Sequence, residues 1–274
     1  MKLSFSTLAC PDWKMPQIVA IASSSGYRGI ELRYVESEDS LYKLRAFHGE
    51  GLATTKRMLA DRGLVVCCVD TSCRFHFPDP NERSRWIEEG ARMSDLAAEL
   101  GAPGIRVFGD KIQPGADRDS TRTWIADSLR ELSDRIANNG VAVWLETHGD
   151  FASAPETNAI LAEATSKSVG VIWDPANCWI ESNESPQQGA DKMRDTLRHV
   201  HIKDLQRNQT NWEPVLTGEG AFPLFELRSA LRQIGFKGFL SFEWEKKWHP
   251  DIPDANVALP HFARWFRENW NNER

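Results

Sequence analysis

The sequence of 274 residues contains no Cys-x-x-Cys pair and no even set of cysteines. Its five cysteines are Cys10, Cys67, Cys68, Cys73 and Cys178, and the adjacent pair lies in an apolar run where a thiol acts as a small hydrophobe. That excludes a disulfide framework and predicts reduced cysteines in a cytoplasmic protein. No apolar run reaches membrane-spanning length, and the opening Met-Lys-Leu-Ser-Phe-Ser-Thr is too short and polar for a signal peptide, so no membrane contact is expected. No basic block, tail or stripe is present, and the net charge is −6 with both signs mixed, so nucleic acid is not an expected partner. No G-x-G-x-x-G follows the first predicted strand, which counts against a dinucleotide-binding sheet. Low-complexity segments and interdomain linkers are absent too.

What remains is an ordinary globular composition, 41% hydrophobic and 26% charged, long enough to bury a large core. Strand and helix patterns alternate throughout. Strands are predicted at Leu3–Ser6, Gly29–Arg33, Leu64–Thr71, Gly104–Phe108, Val141–Glu146, Val169–Asp174, Val200–Asp204 and Phe239–Glu243. Helices are predicted at Pro16–Ser24, Glu50–Arg62, Asn81–Leu100, Asp119–Asn139, Pro155–Ser166, Asp191–Leu197, Pro223–Ile234 and Ala255–Trp270, several of them closed by glycine. The strands lack clean two-residue alternation, as expected for parallel strands buried on both faces. Eight repeats, the length and the missing linker favour one (β/α)8 TIM-barrel domain over residues 1–274 rather than an open doubly wound sheet.

Four predicted strands carry an acidic or imidazole side chain at or near an end: Glu146, Asp174, His201 and Glu243, spaced 28, 27 and 42 residues apart. These would be strands five to eight of the barrel, whose C-terminal ends form the face where active sites sit. Adjacent strands lie about 4.8 Å apart, so four neighbouring ends can aim at one point. Three carboxylates there would repel one another, and a divalent cation removes that cost. Three oxygens and one nitrogen suit Mn2+ best; Mg2+, Co2+ and Zn2+ are admitted by the same set, and the absence of thiolate argues against a closed structural zinc site.

Together with Gly29-Ile-Glu-Leu-Arg33, Gly104-Ile-Arg-Val-Phe-Gly109, Asp174-Pro-Ala-Asn177, His201-Ile-Lys-Asp204 and Gly218-Glu-Gly220, these residues resemble the xylose-isomerase-like TIM-barrel superfamily. Its members include ketose 3-epimerases, inosose isomerases and dehydratases and, more distantly, endonuclease IV. The resemblance spans essentially the whole chain. It implies that Glu146 and Glu243 hold the metal and move protons on opposite faces of the substrate, that Asp174 and His201 complete the ligand set, and that Arg207 binds substrate oxygens. The sequence departs from the epimerase pattern in two places. Asn177 stands where those enzymes carry a histidine, and Ala152 where they carry a second glutamate.

The remaining substrate-binding candidates are His148, two residues after Glu146; Asn177; Lys203, on the same side of its strand as His201; His76, between Phe75 and Phe77; and Trp179, after a strand end. Arg106 is expected to point into the barrel and to need Glu146 or Glu31 as a partner. The expected activity is divalent-metal-dependent isomerisation or epimerisation of a small polyhydroxylated ketone, a sugar or an inosose, through an enediolate. Loss of a hydroxyl from the same intermediate would make the protein a keto-inositol or keto-sugar dehydratase. A phosphodiesterase of the endonuclease IV type needs more histidines than His76, His148 and His201, and a basic groove. The Trp-rich last helix either closes the barrel or meets a second copy in a homodimer.

Overall fold

In the computed structural model, which describes residues 1–209 and 211–270, eight parallel strands close into a barrel. In chain order they are β1 (Lys2–Ser6), β2 (Gly29–Leu32), β3 (Val65–Arg74), β4 (Gly104–Phe108), β5 (Ala142–Glu146), β6 (Val169–Trp173), β7 (Leu197–Ile202) and, after the hairpin of β8 (Asp204–Asn208) and β9 (Asn211–Val215), β10 (Phe239–Phe242). Around the barrel the order is β1-β10-β7-β6-β5-β4-β3-β2. The helices are α1 (Met15–Ser25), α2 (Gly49–Ala60), α3 (Pro80–Leu100), α4 (Arg118–Arg135), α5 (Ala154–Ala164), α6 (Pro175–Ser182), α7 (Pro186–Met193), α8 (Leu224–Gln233) and α9 (Ala255–Asn269). Their ends follow local chemistry. Asp79, Asp117 and Ser153 accept backbone N–H bonds at the starts of α3, α4 and α5, and Gly26 and Gly101 take the left-handed conformation that ends α1 and α3.

By packing, the chain divides into Met1–Cys67 with His201–Arg274, and Cys68–Val200. In the first unit, strand register aligns Ser4 with Ser241 and Gly29, and Ser6 with Glu31. Side chains alternate along a strand. One face therefore carries Ser4, Ser6, Glu31, Ser241 and Glu243, and the other Leu3, Phe5, Ile30, Leu32, Leu240 and Phe242. All of these are buried. Phe242 stacks on Phe262 of α9 with ring centroids 4.4 Å apart, so the apolar face meets the helices and the polar face lines the barrel. The alternation hidden in the sequence is one between two buried faces.

In the second unit the same rule separates Ile105, Val107, Val143, Leu145, Val169 and Val171 from Asp70, Arg106, Trp144, Glu146 and Ile172. Cys68, Trp144 and Ile172 pack together as one apolar cluster. Trp144 stacks on His199 at 6.1 Å, and Gly104 makes room for its indole. A Cβ on Gly104 would stand 2.3 Å from the ring. Gly104→Ala is therefore expected to cost about 1–3 kcal/mol through overpacking. Thermal unfolding measures this; an unchanged melting temperature would mean that the indole swings aside.

Two parts of the topology differ from the sequence expectation. After β6 there are two helices, α6 and α7, where one over Asp191–Leu197 was expected, and β7 already begins at Leu197. The start signals are local: Asp174 caps α6 ahead of Pro175, and Ser185 with Gln188 forms a capping box ahead of α7. The β8–β9 hairpin was not expected either. Asp204 anchors its base: the buried carboxylate accepts N–H bonds from Leu205, Gly218, Gly220 and Phe222, tying down the Gly218-Glu219-Gly220 turn. All five cysteines are free and buried, and burial pushes the Cys10 and Cys178 thiols up. Among the described residues no helix is long and apolar enough to cross a membrane.

Candidate metal centre

In the Met1–Cys67 and His201–Arg274 unit, three strands deliver charge to the C-terminal end of the barrel. His201 near the end of β7 is fully buried, with Nδ1 3.5 Å from Glu243 Oε1 and Nε2 3.1 Å from Glu31 Oε1. Lys203, two residues further on, is buried and donates to Glu243 Oε2 at 2.9 Å and to Glu245 Oε1 at 2.6 Å. Glu245 lies 3.4 Å from His249 Nε2. Burial pushes the Glu245 carboxyl up, but Lys203 and His249 outweigh it and hold it below the usual range; Glu245 in turn draws the His249 imidazole up.

In the Cys68–Val200 unit, Arg106 of β4 donates to Glu146 Oε2 at 2.8 Å, bonds the Thr71 carbonyl, and lies 3.7 Å from Asp70. Of the two partners expected from the sequence, Glu146 is the one found. Asp174 uses Oδ1 to accept N–H bonds from Ala176 and Asn177, both 2.9 Å, at the start of α6. Its own N–H donates to Thr147 Oγ1 at 2.8 Å. Asn177 also donates to the Thr147 carbonyl, which ties α6 to the end of β5.

Each of the three carboxylates thus commits one oxygen to a neighbouring donor: Glu146 to Arg106, Glu243 to Lys203 and Asp174 to a helix start. Glu146 and Asp174 of the one unit and His201 and Glu243 of the other are all buried, and each offers a ligand atom. As donors they suit a divalent ion by their chemistry: oxygen-rich, one imidazole, no thiolate.

The sequence matches the xylose isomerase-like TIM barrel family over residues 19–269. The chain belongs to that family. The chain is 27% identical over 175 residues to 3-dehydro-D-guloside 4-epimerase of Escherichia coli K12, a match covering 59% of this chain and 64% of that relative's length. The probable 3-DHS dehydratase AsbF of Bacillus anthracis superimposes with a TM-score of 0.80 at 19% identity, over 98% of this chain and all of the other. The IOLI protein with a binding zinc atom gives 0.75 at 19% identity, covering 97% of each chain. These two structures carry the likeness of fold.

The other predicted site residues are placed as follows. His148 follows β5, its side chain 39% exposed, with Nδ1 3.2 Å from Asp110. His76 is buried, edge-on to Phe77. Trp179 is half-buried on α6. Arg207 is exposed on β8, opposite Trp212. Sequence reasoning did not single out Glu245, His249, Asp70 or Asp110, and took Glu31 only as a partner for Arg106. Glu31 and Glu245 had a signal, since each sits two residues from another charged group in or just after a strand. Asp70, Asp110 and His249 become visible only through their neighbours in space.

Proposed function

We propose that this chain is a divalent-metal-dependent isomerase or epimerase of a small polyhydroxylated ketone. The supporting observation is that Glu146, Asp174, His201 and Glu243 are all buried at or beside strand ends, where uncompensated carboxylates are costly. In this reading all four hold the ion, Mn2+ first, with Mg2+, Co2+ or Zn2+ as substitutes; the zinc in the IOLI structure is consistent with such a centre. The ion's contribution when bound is to polarise the carbonyl and steady negative charge on its oxygen. Glu146 and Glu243 act on the carbon-bound protons, one removing and the other returning. Lys203, between Glu243 and Glu245, offers its ammonium to a substrate oxygen at the same edge. Asn177, His76, His148, Trp179 and Arg207 are assigned to substrate binding.

The test is direct. Purified protein is titrated with Mn2+ and with Co2+, and loaded protein is incubated with ketoses and inososes in D2O. Binding in the micromolar range and deuterium entering a carbon next to the carbonyl are expected. Failure to bind either ion would remove the reading. A dehydratase is the second reading, favoured by the likeness to AsbF and by the departures at Asn177 and Ala152. A product lighter by one water in the mass spectrum would select it.

A further inference from the structure

The loop after β4 turns sharply at Asp110, whose φ of 60° is the left-handed conformation that aspartate tolerates better than most residues. The turn is pinned on both sides. Asp150 N–H donates to the Asp110 carbonyl at 3.0 Å, and Asp150 Oδ2 accepts the Ile112 N–H at 2.8 Å. Gly149 passes so close that a Cβ there would stand 2.7 Å from the Asp110 carbonyl oxygen. The result is a carboxylate, 15% exposed, set among three basic side chains. His148 Nδ1 is 3.2 Å away, Arg74 Nε 3.4 Å and His76 Nδ1 3.9 Å. Burial pushes the Asp110 carboxyl up, but His148, Arg74 and His76 outweigh it and hold it below the ordinary range.

A charged aspartate accepts and cannot donate, so it calls for a proton on Nδ1 of His148. The Phe108 ring, 5.0 Å away and edge-on, closes another side of the imidazole. The ring is thereby fixed by two neighbours while its side chain stays 39% exposed at the end of β5. A backbone turn in a disfavoured conformation, clamped by a second loop, is the arrangement that holds a functional group in place.

We infer that Asp110 and His148 form a fixed pair at the mouth of the barrel, in which Asp110 is a positioning residue and His148 Nε2 hydrogen-bonds a hydroxyl of the polyhydroxylated ketone. The pair supplies a polar reader on the β5 side, where Ala152 supplies none. This deepens the function proposed above and rests on it for the class of substrate.

The test uses the full chain loaded with diamagnetic Mg2+ and D-tagatose or dihydroxyacetone as probe. Long-range 1H–15N spectra report the His148 ring, assigned by its loss in His148→Gln. An Nδ1-protonated ring that shifts when either probe is added is expected. In Asp110→Ala this tautomer should be lost and KM for proton exchange in D2O should rise about tenfold with kcat less affected, while Asp110→Glu restores part of both. A His148 ring that neither probe moves, or that keeps its tautomer in Asp110→Ala, overturns the inference. If the probes move the ring but no carbon-bound proton exchanges, the pair stands and the proposed reaction falls.

Discussion

Asp174→Ala is expected to lower Mn2+ affinity by more than about 100-fold, because even residues that only support metal ligands cost 10–100-fold when removed. The same change should loosen the start of α6. Asp174 Oδ1 caps that helix through Ala176 and Asn177, and loss of such a cap costs about 1 kcal/mol. The two effects are separable. Asp174→Asn keeps an oxygen for the cap, so metal-free stability should stay near wild type while the charge that attracts the cation is gone. Urea unfolding of the metal-free proteins and calorimetric titration with Mn2+ read the two effects apart. If Asp174→Asn bound Mn2+ as tightly as wild type, Asp174 would be a helix cap and nothing more.

The second large effect is expected at Arg106. Its guanidinium meets Glu146 and Asp70, all three groups almost wholly buried, and lies over the Phe108 ring at 4.2 Å. Removing one partner of a buried ion pair leaves the opposite charge uncompensated and costs about 3–5 kcal/mol. Arg106→Met should fall in that range by urea unfolding of the metal-free protein. Adding Glu146→Gln to it should recover part of the loss, since the repulsive charge then goes as well. A double variant no more stable than Arg106→Met would show that packing against Phe108, rather than charge, accounts for the cost. Saturating Arg106→Met with Mn2+ should offset part of the deficit, because a ligand that binds only the folded state stabilises it.

The barrel and the four strand-end residues were legible for the same reason. An apolar run that stops on Glu, Asp or His is a one-dimensional signal, and the eight-fold repetition turns it into a geometric one. The groups that flank the site were less legible. Arg106 could be narrowed to Glu146 or Glu31 from the sequence, because a buried guanidinium demands an acid and these two lie on predicted strands. Asp110 could not: its role depends on Arg74 at the end of β3 and on His148 in the segment after β5. The hairpin was missed because Asp204-Leu-Gln-Arg-Asn208 and Asn211-Trp-Glu-Pro-Val215 are largely polar and carry a proline, so neither reads as a strand. Helix α6 was missed because eight residues give too little periodicity, although Asp174-Pro175 announced its start.

The split between the two faces of β10 has a bearing on quality control. Slipping that strand by one residue would turn Leu240 and Phe242 toward the lumen and Ser241 and Glu243 toward α9. A carboxylate would then be driven against Phe262, and the stacked rings would be pulled apart. Misaligned chains therefore fail to pack. Folding itself thus proofreads which face of the strand Glu243 takes.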